Sequence, residues 1–310
     1  MHSQDAPDEA GSRSLLDELR LFAKYHLVRR NFDYPAPETE LGIELLDYET
    51  DRYAEALRSR AGPFALDRLD AIEYRGRAHP IHRLRASGGG SPRRSLLVLC
   101  GVHGNEYAGL LAVPALLERL TGSPERFAHL DLCIVTPVNP VGAEERSRYS
   151  AEGYDVNRDF KRFETPEARA VRRAIEEAEP DFILSLHEGP HDGTFMFANH
   201  EVDPGLAGPV LDRLERAGTR LATTDYFGRT LGTPGYARAT RPLRFLWWLW
   251  SRTLGMMSTG MYAHELGTPE LTLESSWREA GDARIRTHVE TVLAIVDWLA
   301  PGTGEAEAGG

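Results

Sequence analysis

Cysteine is nearly absent from this chain: there are 2 in 310 residues, Cys100 and Cys133, both inside apolar runs. So few exclude a small secreted scaffold stapled by disulfides and point to buried free thiols. Lysine is as scarce, standing only at Lys24 and Lys161, and although arginine brings the basic total to 36, Asp and Glu number 47, for a net charge of -11. Phosphate backbones are gripped by accumulated cations, so no nucleic-acid partner is expected. The acidic balance reads as a solvated surface rather than as a docking site. Long apolar runs are missing too. The densest, Phe245–Trp250 (FLWWLW), is far short of the roughly 20 residues of a spanning helix. The opening MHSQDAPDEAGSRS lacks the apolar core of a signal peptide. No membrane partner and a cytoplasmic location are therefore expected, and nothing in the sequence indicates an oligomeric state.

What is present is enough apolar residue, 41% of the chain, for one large core or one core with a small appendage. Residues 1–66 read as an N-terminal extension: disordered at first, then helical over Leu15–Arg29, where Ser14 can cap, and again over Tyr48–Arg60. It reads as a helical brace on the domain that follows, a lid or an oligomer contact being the other uses. A catalytic domain is expected over 67–300 and a disordered tail over 301–310. From Leu69 the pattern alternates. Strands are predicted in LDAIEYRG and HPIHRLRAS, then over 96–99, 132–136, 181–186 and 271–274, with helices near 107–120, 166–178, 207–217 and 283–299. That alternation predicts an α/β fold: a central, mostly parallel or mixed twisted sheet flanked by helices on both faces.

The most informative stretch is LLVLCGVHGNEYAGLLAVPALL, Leu96–Leu117. It places His103 and Glu106 on a Gly-rich turn between an apolar strand and an apolar helix, and the carboxyl end of a buried strand is where open α/β sheets put their chemistry. A histidine and a carboxylate three positions apart can reach one cation, though such a pair by itself fits two solvated side chains equally well. Other polar residues stand where later apolar runs give out: Asn139-Pro140, Arg148, Asn157-Arg158 beyond Gly153, His187 after DFILSL, and Glu274 at the end of LTLE.

In this order and these contexts, His103-x-x-Glu106, Arg148, Asn157-Arg158, His187 and Glu274 resemble the zinc carboxypeptidases, the carboxypeptidase A-like metallopeptidase family. The short bacterial members are the nearest in pattern, through G-x-H-G-N-E, R-x-x-x-x-G-x-D-x-N-R-x-F, and a P-E-x-R-A-V-R helix leading into a strand that ends in His. The resemblance covers about Ile72 to Trp298. More distantly, the succinylglutamate desuccinylase/aspartoacylase branch shares the His-x-x-Glu and Asn-Arg motifs.

The resemblance implies a Zn2+ ion held by His103, Glu106 and His187, with Glu274 as general base. It implies Arg148, rather than its neighbour Arg146, beside the developing oxyanion, because the family pattern fixes the spacing to Asn157. Asn157 and Arg158 would hold the free carboxylate of a substrate, a task suited to the guanidinium fork. The expected activity is that of a zinc-dependent metallocarboxypeptidase-like hydrolase, cleaving an amide bond next to a free carboxylate in a peptide. The alternative is an N-acyl amino acid deacylase acting on an acyl-amino-acid substrate. That branch places a β-rich region after the catalytic Glu, whereas a helix and a tail are expected here, which favours the peptidase.

His187-Glu188-Gly189-Pro190-His191 also matches H-E-x-x-H, but Gly189-Pro190 forbids the continuous helix on which that motif works. His191 and His200 are candidates for lining the pocket, but for these and the remaining histidines ordinary core or surface placement is the expectation. The mobile tyrosine that the resemblance implies would fall near Arg252, where none stands; Tyr226, Tyr236 and Tyr262 are the nearest. Phe245, Trp247, Trp248 and Trp250 read as core or a packed flap rather than as a substrate platform.

Overall fold

Runs that are apolar on both faces go to the middle of a sheet, and alternating runs go towards its edges. The computed structural model, which describes residues 46–90, 93–225 and 228–300, follows that rule. Its strands are β1 (Ala65–Tyr74), β2 (Arg77–Ser87), β3 (Arg94–Cys100), β4 (Leu130–Thr136), β5 (Phe182–Gly189), β6 (Phe195–Ala198), β7 (Tyr236–Arg238) and β8 (Glu270–Ser276). They form one sheet in the order β1-β2-β4-β3-β5-β8-β6-β7. The central strands β4, β3, β5 and β8 are parallel, and β5 is buried along its whole length. Antiparallel pairs flank them, β1 with β2, β2 with β4, and β6 with β8. The sheet is therefore mixed with a parallel centre, the α/β architecture expected from the alternation.

Helices cover both faces: α1 (Thr50–Arg60), α2 (Tyr107–Thr121), α3 (Pro140–Glu144), α4 (Pro166–Ala178), α5 (Ala207–Arg216), α6 (Arg241–Thr253), α7 (Thr259–Leu266) and α8 (Gly281–Trp298). Successive strand residues point to opposite faces, so Leu96 and Val98 enter the core under α1, α2, α5 and α8, and Leu97 and Leu99 enter the one under α4 and α7. Tyr48, Tyr53, Leu57 and Phe64 belong to the first of these cores. The described part of the N-terminal extension is thus packed into the same interior as the sheet. The helix expected over Leu15–Arg29 and the tail at 301–310 lie outside the described residues.

The expected strands and helices stand within a few residues of their predicted bounds. Unforeseen were α3, β6, β7, α6 and α7. Four of these are too short to establish a period, and α6 carries its exposed aromatics on the wrong side for one.

The chain leaves β3 through α2 towards β4, and it leaves β5 towards β6 and β8 on the other side. The carboxyl ends of β3 and β5 therefore flank a topological switch point, where open α/β sheets leave a crevice.

Candidate active site

The turn after β3 is shaped by two glycines. Gly101 has φ +68, the left-handed region that glycine enters without strain. At Gly104 a Cβ would fall 2.0 Å from the carbonyl carbon of Gly142 in α3. Only glycine lets the His103 turn press so closely on that helix. Glu106 occupies the N-cap position of α2 but makes no cap bond with its side chain. Instead Glu188, from β5, accepts from the backbone N–H of Ala108 at 2.8 Å. The helix start is satisfied by a neighbour, and the Glu106 carboxylate is turned into the crevice.

There it meets both histidines. His103 Nδ1 lies 2.6 Å from Glu106 Oε1, His187 Nδ1 lies 2.7 Å from Glu106 Oε2, and the two Nδ1 atoms are 3.2 Å apart. All three side chains are buried. On the other edge of its ring, His103 Nε2 lies 3.2 Å from Asp155 Oδ1. A neutral imidazole has one N–H, so if His103 donates to Asp155 its Nδ1 presents a lone pair to the Glu106 carboxylate. A cation among the three donors turns that repulsion into attraction. The donor atoms lie within 4.8 Å of one another and could hold a metal ion; two imidazoles and a carboxylate suit one that leaves a position open.

Burial opposes ionisation of Glu106, but the imidazoles of His103 and His187 hold its carboxyl below the usual range. Burial holds His187 below the ordinary imidazole value, the Glu106 carboxylate acting against it. Both directions favour the unprotonated ligand forms.

Asp155, to which the sequence reading gave no role although it lies in the R-x-x-x-x-G-x-D-x-N-R stretch, is the hinge of the site. Its Oδ1 accepts from the backbone N–H of Asn157 at 2.9 Å and faces His103, while its Oδ2 accepts from Arg148 Nε at 3.0 Å. Burial opposes its charge, but Arg148 and His103 keep the carboxyl well below the ordinary value. A carboxylate behind a ligating histidine fixes the tautomer and the ring angle.

Arg148 is also 3.6 Å from Glu106 Oε1, and its backbone carbonyl accepts from Asn139 Nδ2 at 3.4 Å. Asn139 anchors both ends of that link, since its Oδ1 caps α3 by accepting from the N–H of Gly142 at 2.9 Å. Arg146, the competing candidate, is exposed.

Glu274 pairs in register with His187 across β5 and β8, so the two side chains share a face of the sheet. It is 7% exposed. A Cβ at Gly189 would lie 3.3 Å from Glu274 Oε2 and 2.6 Å from His191 Nε2, so glycine there keeps open the space between these two groups. His191, read from the sequence as ordinary, thus stands beside Glu274, its ring edge-to-face on Phe195 and pushed down to about 4 by burial. Strand β5 runs through Gly189, which rules out a helix over His187–His191.

Asn157 and Arg158 lie on the short turn after Asp155, Val156–Arg158. Asn157 Oδ1 accepts from the N–H of Thr259 at 3.0 Å, and Arg158 Nη1 donates to the carbonyl of Asn157 at 2.8 Å. The structure thus brings His103, Glu106, His187 and Arg148 into contact and sets Asn157, Arg158 and Glu274 on adjoining elements. Tyr262 packs with Phe160 and Phe163 in the second core, Tyr236 is in β7, and Tyr226 lies outside the described residues.

Two histidines and a carboxylate thus converge at the carboxyl ends of neighbouring central strands of a mixed sheet. Residues 92–222 match the succinylglutamate desuccinylase/aspartoacylase catalytic domain. Murein peptide amidase A of Escherichia coli K12 is 35% identical over 99 residues, which are 32% of this chain and 39% of that protein. The chain therefore spans well under half the length of the curated relatives it matches. Among solved structures, a Shewanella denitrificans OS217 protein with a provisional metallopeptidase assignment aligns with a TM-score of 0.65 at 18% identity, over 84% of this chain and 97% of that one. A metallo-carboxypeptidase of Pseudomonas aeruginosa aligns at 0.58 and 20% identity, over 81% of this chain and 69% of that one. The resemblance to the carboxypeptidase A-like family and its desuccinylase branch holds, and so does the fold it implied.

Proposed function

We propose that this protein is a zinc-dependent metallocarboxypeptidase-like hydrolase that cleaves an amide bond next to a free carboxylate. The convergence of His103, Glu106 and His187, with Glu274 in register beside His187, carries the reading. Zinc bound there supplies Lewis acidity that polarises a carbonyl and makes a water more acidic.

The chain's own residues supply the rest. Glu274 takes the proton of the attacking water and passes it to the departing amine, so that the leaving group departs neutral. Arg148, its side chain held at a fixed angle by Asp155, offers a preorganised cation to the negative charge that develops on the carbonyl oxygen. Asn157 and Arg158 hold the terminal carboxylate and so set which bond reaches Glu274. The second reading, an N-acyl amino acid deacylase, is favoured by the match over residues 92–222 to the desuccinylase/aspartoacylase domain.

Substrate discrimination separates the two. Amidating the C-terminus of a peptide substrate is expected to cut kcat/KM about tenfold to a hundredfold, because a charge-assisted pair contributes roughly 1.5 to 3 kcal/mol. Lengthening its N-terminal side is expected to be tolerated. Rapid hydrolysis of N-acetyl or N-succinyl amino acids with indifference to peptides would overturn the peptidase reading in favour of the deacylase.

A further inference from the structure

Helix α6, RPLRFLWWLWSRT, carries aromatic residues on both its inner and outer sides. Inward, Leu243 and Ser251 are buried, and Trp247 packs on Phe197 of β6 with ring centroids 5.6 Å apart. Outward, Phe245 is 65% exposed and Trp248 52%, with Leu246 and Leu249 exposed beside them and Leu254 just beyond. Phe245 and Trp248 stack with centroids 5.8 Å apart. Residues three and four apart share a helix face, so Phe245, Leu246, Trp248 and Leu249 form one apolar ridge that the described residues leave exposed.

The charges on the helix itself are of one sign. Arg241, Arg244 and Arg252 are the helix's only ionisable residues, in a chain whose net charge is -11. The Arg252 guanidinium lies 5.7 Å over the Trp248 ring. Arginines bordering exposed Trp, Phe and Leu on a short helix are the composition of helices that lie in a bilayer interface, where apolar side chains enter the acyl boundary and cations meet anionic headgroups. A second copy of this chain would be a poor occupant, since mutual packing brings arginines against arginines with no acidic residue in the helix to meet them.

We propose that α6 is an interfacial helix that seats this protein on an anionic phospholipid surface. No helix among the described residues is long and apolar enough to cross a membrane, so the association is peripheral. It replaces the expectation of no membrane partner with contact that lies on the bilayer rather than through it. The aromatics FLWWLW, read from the sequence as core or flap, divide their work: Trp247 anchors the helix to the sheet, and Phe245 and Trp248 face the lipid.

Vesicle flotation of the full chain tests this. Wild type is expected to float with phosphatidylcholine vesicles that contain phosphatidylglycerol and to remain unbound with phosphatidylcholine alone. The double variant F245S/W248S is expected to lower the partition coefficient about tenfold or more, since it removes two inserting side chains, with the melting temperature unchanged. R241Q/R252Q is expected to lose the preference for phosphatidylglycerol. No flotation of wild type, or equal flotation of wild type and F245S/W248S, overturns the proposal. So does a concentration-dependent dimer in sedimentation equilibrium that F245S/W248S abolishes, with no vesicle binding, because the ridge then belongs to a second copy.

Discussion

At the carboxyl ends of β3 and β5 the protein buries His103, Glu106, Asp155 and His187, while on α6 it leaves Phe245 and Trp248 in water. Each region reverses the usual placement of its residue types. A buried charge costs several kcal/mol unless it is paired, and here one guanidinium faces both carboxylates: Arg148 lies 3.0 Å from Asp155 Oδ2 and 3.6 Å from Glu106 Oε1. An exposed aromatic forgoes burial worth about 25 cal/mol per Å2, and the Phe245–Trp248 stack and the Arg252 guanidinium over Trp248 still leave Phe245 and Trp248 more than half exposed. The strand ends gather ionisable groups that face one another within the chain. The helix face is incomplete and awaits a surface. Chemistry and location are thereby assigned to separate parts of one fold, which can be altered independently.

The largest expected effect of breaking that separation is at Glu274. Glu274→Gln keeps shape and hydrogen-bonding capacity but not basicity, so turnover of a soluble substrate should fall about a thousandfold or more, with folding and bound metal unchanged. A near wild-type rate would remove Glu274 from the mechanism.

Glu167, in α4, shows what a buried carboxylate does away from the paired cluster. Burial, with Glu152 and Asp159 adding to it, pushes its carboxyl up to about 7 from 4.5. The native state therefore holds this proton more tightly than the unfolded chain does. The group's contribution to stability is full below about pH 4.5 and declines as pH rises to about 7, by roughly 3 kcal/mol. Glu167→Gln should flatten denaturant-derived stability across that window; a pH slope equal to wild type would show that Glu167 titrates normally.

Asp155→Asn should have the smallest of these effects, about a tenfold to hundredfold loss of metal affinity in chelator competition, because the amide still accepts a hydrogen bond but no longer supports His103 with charge. Unchanged affinity together with an unchanged rate would leave Asp155 a purely structural cap.

Much of the centre was legible in the sequence because strand ends announce themselves. An apolar run of fixed length stops, and a histidine or glutamate stands at the stop, as at His103, His187 and Glu274. Asp155 lay within a motif already singled out, yet nothing in the string says which of its carboxylates faces a histidine 52 positions away. For His191, a pocket candidate that the sequence could not set apart from ordinary histidines, the reason is the same, since its nearness to Glu274 depends on β5 and β8 being neighbours. Region 236–266 was illegible in another way. With α6 an outward apolar face imitates a core segment, because periodicity reports which residues share a side but not whether that side meets protein or water.

The sequence by itself determined the alternation of strands and helices, the parallel centre that follows from it, and which polar residues sit at strand ends, because these depend on local periodicity and on where apolar runs terminate. Only the tertiary structure decided that the carboxyl ends of β3 and β5 lie side by side, that Glu188 caps α2 so that Glu106 is turned inward, and that Phe245 and Trp248 face outward. Those outcomes rest on strand order and on packing between residues far apart in the chain, where the energy belongs to pairs that no local pattern records.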